Sequence, residues 1–412
     1  MATAVLHFIF QLSTGDLFPA AFVRALLCLT VLLGTNFSQA QPRSAAPEGQ
    51  TKQLELKEIA EHGNHALAAS DYATAEQDYK RLLRLGMRSA SVYSNLGVVY
   101  LRTGRFDQAI NVLLKAKNVA PSVAGIRVNL GLAYFRKHDF KAAASYFGNA
   151  LDSKPDNLQA RYLRGVCDFM LDNFTAAVKD FEPLQTDESN DLEYLFMLGT
   201  SYGMLKRTDD SLRTFKRMVE AGGDSPHLHL LLGKAYLALG QYDKAEPELN
   251  RATKGDSLPF AHYYLGVLKG QTGHPDEAAM EYQKEIDIDP TNIFAYKDLA
   301  EIRLDEADAD AAVAILEKGV AQNPHTPELL ATLGRAYLRT SRHERAILVL
   351  RKAIALSPEV GSYHYQLGRA YLKAGRRAEA NAEMALARSL TSEAPEGKMG
   401  ALSKDQEIIE TR

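Results

Sequence analysis

Residues 130–155 read LGLAYFRKHDFKAAASYFGNALDSKP, and this stretch returns in register along most of the chain. Its glycine is one of nine at regular spacing: Gly63, Gly97, Gly131, Gly165, Gly199, Gly233, Gly266, Gly334 and Gly368, with Ala300 in the remaining place. Every step is 34 residues except Gly233 to Gly266, which is 33. The neighbours recur as well. Leu precedes the small residue in eight of ten units, and Tyr follows it by three in six (Tyr100, Tyr134, Tyr202, Tyr236, Tyr337, Tyr371). Twelve residues on comes Ala in nine units, with Ser211 in the tenth, and sixteen on comes a large side chain such as Phe147, Phe181, Phe215 or Leu350. Twenty-four on, five units carry Pro121, Pro155, Pro290, Pro324 or Pro358. A fixed period of this length means stacked units rather than one compact core.

The apolar residues recur at helical spacing, so each unit is predicted to hold two antiparallel helices. Glycine and alanine let the helix axes approach where they cross, and the large residue sixteen on fills the space beside that crossing. Proline ends the second helix, because it lacks an amide hydrogen and disfavours helix in the residue before it. Turns such as Thr103-Gly104-Arg105-Phe106 and Leu239-Gly240-Gln241-Tyr242 separate the helices, their glycines suited to the left-handed conformation. Some units depart from the pattern: His62 and Arg164 replace the leucine, and Met218 and Glu285 replace a small residue in the second helix.

This pattern closely resembles the tetratricopeptide repeat. The resemblance implies an all-α α-solenoid, a right-handed superhelix of antiparallel helix pairs, with ten units over residues 56–394. Residues 395–412 read as a tail and 41–55 as a polar, proline-bearing linker. Arg24, the apolar run 25–33 and Ser38-Gln39-Ala40 predict a cleaved secretory signal ending at Ala40. The run is shorter than the roughly 20 residues that span a bilayer. The upstream residues do not resemble a signal's basic start, so the true start is expected near Val23. Cys28 lies inside the apolar run and Cys167 within a repeat; after cleavage no internal disulfide can form, and Cys167 is expected buried and inert.

Lys and Arg total 48 against 51 Asp and Glu, a formal net charge of −3. No half is strongly basic, so nucleic-acid binding has no electrostatic support. No Walker loop, GxSxG, dinucleotide fingerprint or HExxH occurs. The pairs His62/His65 and His227/His229 lack a third ligand at characteristic spacing. Neither catalytic residues nor cofactors nor metals are expected.

In the tetratricopeptide family the first helix of each unit lines the concave face, through places three before, one after and four after the glycine, which share one helical face. Those places and their neighbours give an apolar groove of Val128, Leu132, Phe135, Tyr162, Val166, Phe169, Met170, Phe196, Met204, Leu230 and Tyr263, with Leu237, Val267, Phe260 and Phe294 beside it. A basic end follows, Arg335, Arg339, Arg369 and Lys373. Such a face suits a protein or peptide partner, an amphipathic helix or extended segment with an acidic portion toward the last units. The same spacing also suits side chains that only pack neighbouring helices, and the basic cluster could be a solvated face. The carboxylate clamp of chaperone-binding relatives is not expected, since Ala60, Ser94 and Val98 stand beside Asn64 where partners would be needed.

The function expected is a non-catalytic, protein-binding scaffold, exported to the periplasm or beyond; bacterial proteins resembling it often serve envelope assembly, export or secretion. After signal cleavage no integral membrane segment is expected, and self-association through end units is. The alternatives are a regulatory or substrate-presenting subunit of an enzyme, a membrane-anchored form if the leader is retained, or a cytosolic adaptor if the leader is not a signal.

Overall fold

The structure, a computed structural model, describes residues 48–185, 191–255 and 257–392. The leader expected at 1–40 and the tail expected at 395–412 lie outside the described residues. The helices form two compact units that divide after Gly223. The first unit holds α1 (Glu48–Ala68), α2 (Tyr72–Arg84), α3 (Ala90–Arg102), α4 (Phe106–Val119), α5 (Ala124–Arg136), α6 (Phe140–Ser153), α7 (Leu158–Met170), α8 (Phe174–Phe181), α9 (Leu192–Met204) and α10 (Thr208–Gly222). The second holds α11 (Pro226–Ala238), α12 (Tyr242–Ala252), α13 (Ala261–Gln271), α14 (Pro275–Ile288), α15 (Ile293–Asp305), α16 (Ala309–Gln322), α17 (Pro327–Arg339), α18 (His343–Leu356), α19 (Gly361–Lys373) and α20 (Arg377–Ser392). Odd-numbered helices are the first of each repeat and even-numbered the second, so each unit stacks five helix pairs. Within a unit, every helix packs on the next in chain order. No strand occurs among the described residues. Helix α1 begins at Glu48, inside the stretch expected as a linker.

The recurring glycine shows what sets the pair geometry. A Cβ built on Gly131 would lie 2.6 Å from the ring of Phe147. The same collision awaits Gly97 against Leu113, Gly165 against Phe181, Gly199 against Phe215, Gly233 against Leu249 and Gly334 against Leu350. The large residue therefore does not fill space beside the crossing; it lies directly on the glycine backbone. Four residues before it on the second helix, the alanine is fully buried in nearly every repeat, as with Ala109, Ala143 and Ala245. Ser211, the one exception to alanine, donates its hydroxyl to the Gly199 carbonyl at 2.8 Å and so keeps the close approach.

The turn between paired helices is equally regular. The residue seven after the glycine has positive φ in every repeat: 72° at Gly104 and 70° at Gly240, but also 60° at His138 and 63° at Ala307. The next amide then closes on the carbonyl of the recurring tyrosine, as from Arg105 to Tyr100 at 2.9 Å, which satisfies carbonyls that the helix end leaves free. The second helices α4, α6, α14, α16 and α18 each stop two residues short of their proline.

The tyrosine also anchors a link between repeats. Arg105 lies over the Tyr100 ring at 4.6 Å, and its guanidinium donates to both carboxylate oxygens of Glu76 in the preceding second helix. Arg376 over Tyr371 reaches Glu344, and Arg207 over Tyr202 reaches Glu182. The Arg105 hydrogen bond, aided by Lys80, holds the Glu76 carboxyl down at about 2 against the removal from water that opposes it.

Two outcomes are expected. Gly131→Ala lowers stability by about 1–3 kcal/mol through overpacking, whereas Gly148→Ala, whose added methyl has nothing nearer than 3.6 Å, raises it by about 0.5–1 kcal/mol through helix propensity; urea titration of both variants checks the pair. A depressed folded pKa stabilises above the unfolded value and is lost as pH falls through the folded one. The Glu76 contribution is thus present above the ordinary glutamate value near 4.5 and disappears toward about 2. Acid titration of Glu76→Gln should show a correspondingly flatter loss of stability than the parent over that window.

Candidate binding faces

The aromatic places singled out in the sequence are mostly buried. In the first unit Val128, Leu132, Phe135, Tyr162, Val166, Phe169, Met170 and Phe196 are all buried, and Met204 half-buried. Several are packed ring on ring. Phe135 meets Phe140 edge-on at 5.4 Å, tying the end of α5 to the start of α6. Phe169 does the same with Phe174 and also meets Phe196 of the next first helix at 5.9 Å. Tyr162 lies against Phe181, the ring that covers Gly165. In the second unit Leu230, Leu237, Phe260 and Tyr263 are buried, while Val267 and Phe294 are half-buried. Cys167 is buried, and burial pushes its thiol well above the ordinary value.

Tyr263 belongs to a polar network that sequence reasoning missed. Its hydroxyl donates to Asp298 at 2.7 Å, a carboxyl raised by burial. Its amide donates to Glu285 at 3.2 Å, and the Phe260 amide donates to the same carboxylate at 2.6 Å. Asn292 donates its side-chain amide to Glu285 at 3.0 Å and caps α15 by accepting from Phe294 and Ala295. Phe260, at φ 69°, precedes α13 without a side-chain cap of its own. Glu285 thus replaces the usual small residue and takes the first amides of α13 in the repeat that follows the 33-residue step. The fully buried carboxyl is raised by that burial, against the two amides and Asn292.

Four histidines are paired with carboxylates. His229 is hydrogen-bonded through Nδ1 to Glu248 at 2.6 Å and through Nε2 to Asp224 at 2.7 Å. His262 to Glu281 and His364 to Glu383 repeat the Nδ1 bond at the same places of their repeats, four before the glycine and fifteen after it. That recurrence was present in the sequence as a spaced pair. Exposed His62 bonds Asp78 at 2.6 Å. Among the described residues no group of three His, Cys, Asp or Glu is placed to hold a metal, and no helix is long and apolar enough to cross a membrane.

The basic places are disposed differently. α17 and α19 pack on each other within the second unit. Arg335 is paired with Glu301, and Arg339 donates to the Leu304 carbonyl at 3.1 Å. Arg369 and Lys373 are exposed on α19, without an ion-pair partner among the described residues, and Leu372 beside them is 51 % exposed. They lie one turn apart, so both cations share a helical face.

Models of the tetratricopeptide repeat match residues 61–122, 128–185 and 204–263, and a model of anaphase-promoting complex, cyclosome, subunit 3 matches 305–386. A sol locus transcriptional repressor of Clostridium acetobutylicum is 34 % identical over 97 residues, which are 23 % of this chain. The chain spans 30 % of that relative's length. A tetratricopeptide repeat protein from Parabacteroides merdae is similar in structure at 17 % identity and TM-score 0.51, over 60 % of this chain and 98 % of that one. MamA from Desulfovibrio magneticus matches at 22 % identity and TM-score 0.38, over 42 % and 97 %. The Cut9–Hcn1 hetero-tetramer matches at 13 % and 0.40, over 82 % and 94 %.

Removal of the buried Glu285 carboxylate leaves the Phe260 and Tyr263 amides unpaired. Glu285→Leu should cost about 3 kcal/mol, read by urea titration. Hydrogen exchange should accelerate first at those two amides.

Proposed function

The chain is a tetratricopeptide-repeat protein, and from that premise we propose that it is a non-catalytic scaffold which binds an acidic, amphipathic segment of a partner protein on the first-helix face of its last two repeats. One observation carries this reading. Of the four cations expected at the basic end, two are engaged within the fold, Arg335 by Glu301 and Arg339 by a backbone carbonyl, while Arg369 and Lys373 stand exposed beside the exposed Leu372. An exposed apolar side chain next to unneutralised cations favours a ligand with carboxylates and an apolar anchor on one face, a helix or an extended segment. The buried aromatics of α5, α7 and α9 then serve to hold the first helices in register.

The proposal includes export: Arg24, the apolar run 25–33 and the small-x-small site ending at Ala40 support passage through a secretory route, and a role in envelope assembly or secretion follows from that placement. Native protein beginning at Gln41 would support it; a native amino terminus upstream of the run, in a cytosolic fraction, would overturn it.

Affinity capture with the full chain and with Arg369→Glu/Lys373→Glu, from envelope and cytosolic fractions, tests the binding face. Both positions are exposed, so the variant should fold as the parent does by circular dichroism. A partner with an acidic segment should be captured by the parent and held about tenfold or more weakly by the variant. Equal capture by both would remove the basic face from the function.

A further inference from the structure

Repeat eight departs from the pattern at several places that converge on one spot of the second unit. Ala300 stands in for glycine, and the close approach reappears elsewhere: a Cβ on Gly319 of α16 would lie 2.8 Å from Cγ of Tyr296 on α15. Tyr296 occupies the place where the sixth, seventh and tenth repeats carry His229, His262 and His364, each closed by a glutamate of its second helix. In repeat eight the residue at the glutamate's place is Ile315, and no polar closure forms. With the ring set down on Gly319, a recess of about 370 Å³ opens between α14 and α16.

The recess has a definite chemistry. Ile286, Pro290, Ile315 and the Tyr296 ring give apolar walls. Tyr296 is only 4 % exposed, yet its hydroxyl has no hydrogen-bond partner among the described residues and is not sealed from solvent. Burial, then the charges of Asp287 and Asp289, raises the phenol, so it remains protonated. Asp289 is occupied by the Thr291 amide and hydroxyl. Asp287, on the rim, is exposed and among the described residues accepts only the neutral Gln283 amide at 2.9 Å. Lys318 stands on the other helix's rim, exposed and without an ion-pair partner among the described residues.

We infer that this recess is a docking pocket for an arginine side chain presented by a partner protein. The methylene stem covers Ile286, Pro290 and Ile315, and the guanidinium donates to the Asp287 carboxylate and the Tyr296 hydroxyl oxygen. A purely apolar anchor would cover the hydroxyl and leave it unpaired, at a desolvation cost. An ammonium is a compact point charge, whereas the planar guanidinium donates in several fixed directions and reaches two acceptors together. Lys318 disfavours a second cation and favours an acidic neighbour of that arginine.

This deepens the scaffold reading and rests on it, but its test is independent of the α19 face. The full chain carrying labelled isoleucine δ1 methyls is titrated with N-acetyl-L-arginine amide and, separately, with N-acetyl-L-citrulline amide, the neutral isostere. Saturable shifts at Ile286 and Ile315 are expected with the arginine probe and not with citrulline. Asp287→Asn should weaken the arginine probe about tenfold, as expected for a charge-assisted hydrogen bond, and Tyr296→Phe about threefold, as for a neutral one. Both variants are close to isosteric and keep the walls. Arg369→Glu/Lys373→Glu should leave this titration unchanged. Equal response to both probes, no saturation, or an unaltered affinity in Asp287→Asn would overturn the pocket while leaving the α19 proposal standing or falling on its own experiment.

Discussion

The missing side chain at the recurring glycine is the constraint from which the rest follows. Phe147 can rest on Gly131 only because no Cβ is there, and that contact sets how closely α5 and α6 approach. Once the distance is set, the facing position on α6 must be small, and Ala143 is fully buried. The turn must then reverse the chain in very few residues. Positive φ at His138 or Ala307 is accepted for that reason, at a cost of about 1 kcal/mol or more for a side chain in that region. Glycine at Gly104 and Gly240 avoids the cost, but the turn forms either way, so packing dominates local preference.

Polar groups then join repeats within each unit, adding to their apolar packing. The stacked Tyr–Arg pair of one repeat and the carboxylate of the repeat before it form one such link. The His–Glu bonds fasten paired helices at a second place. These groups are well placed because the backbone repeats: residues at equal positions meet equal partners, so one geometric solution serves several times. Where the period slips by one residue, the His262–Glu281 bond still forms, and the buried Glu285 is added to it, bonding the amides at the start of α13 and the side chain that caps α15.

Fold class, repeat number, helix pairing and the stop before each proline were legible from residues at fixed spacing, because backbone sterics act over a few residues. The exposure of the groove residues was not. Val128, Phe169 and Tyr263 occupy places that face a ligand or a neighbour with equal ease by spacing alone, and the decision rests on side chains 27 to 35 residues away, such as Phe196 against Phe169 and Asp298 against Tyr263. The basic end was legible as composition. Which of its cations are free was not, since Glu301 neutralises Arg335 across a full repeat. Glu285 looked like a defect in the pattern because its partners are backbone amides, which no side-chain pattern records.

In a repeat fold the shared positions carry architecture, so recognition has to reside where a unit departs from them. The two surfaces argued for function are both departures. On α19 the place that is apolar at Leu132 and Val166 becomes Arg369, and the same place of the preceding repeat is Arg335, not an acid such as the Glu301 that neutralises Arg335 itself. In repeat eight the histidine closure is replaced by Tyr296 and Ile315, and a recess takes its place. Each departure forfeits a stabilising contact that other repeats make. That is the cost expected at a binding site, where the missing partner is supplied by another molecule rather than by the chain itself.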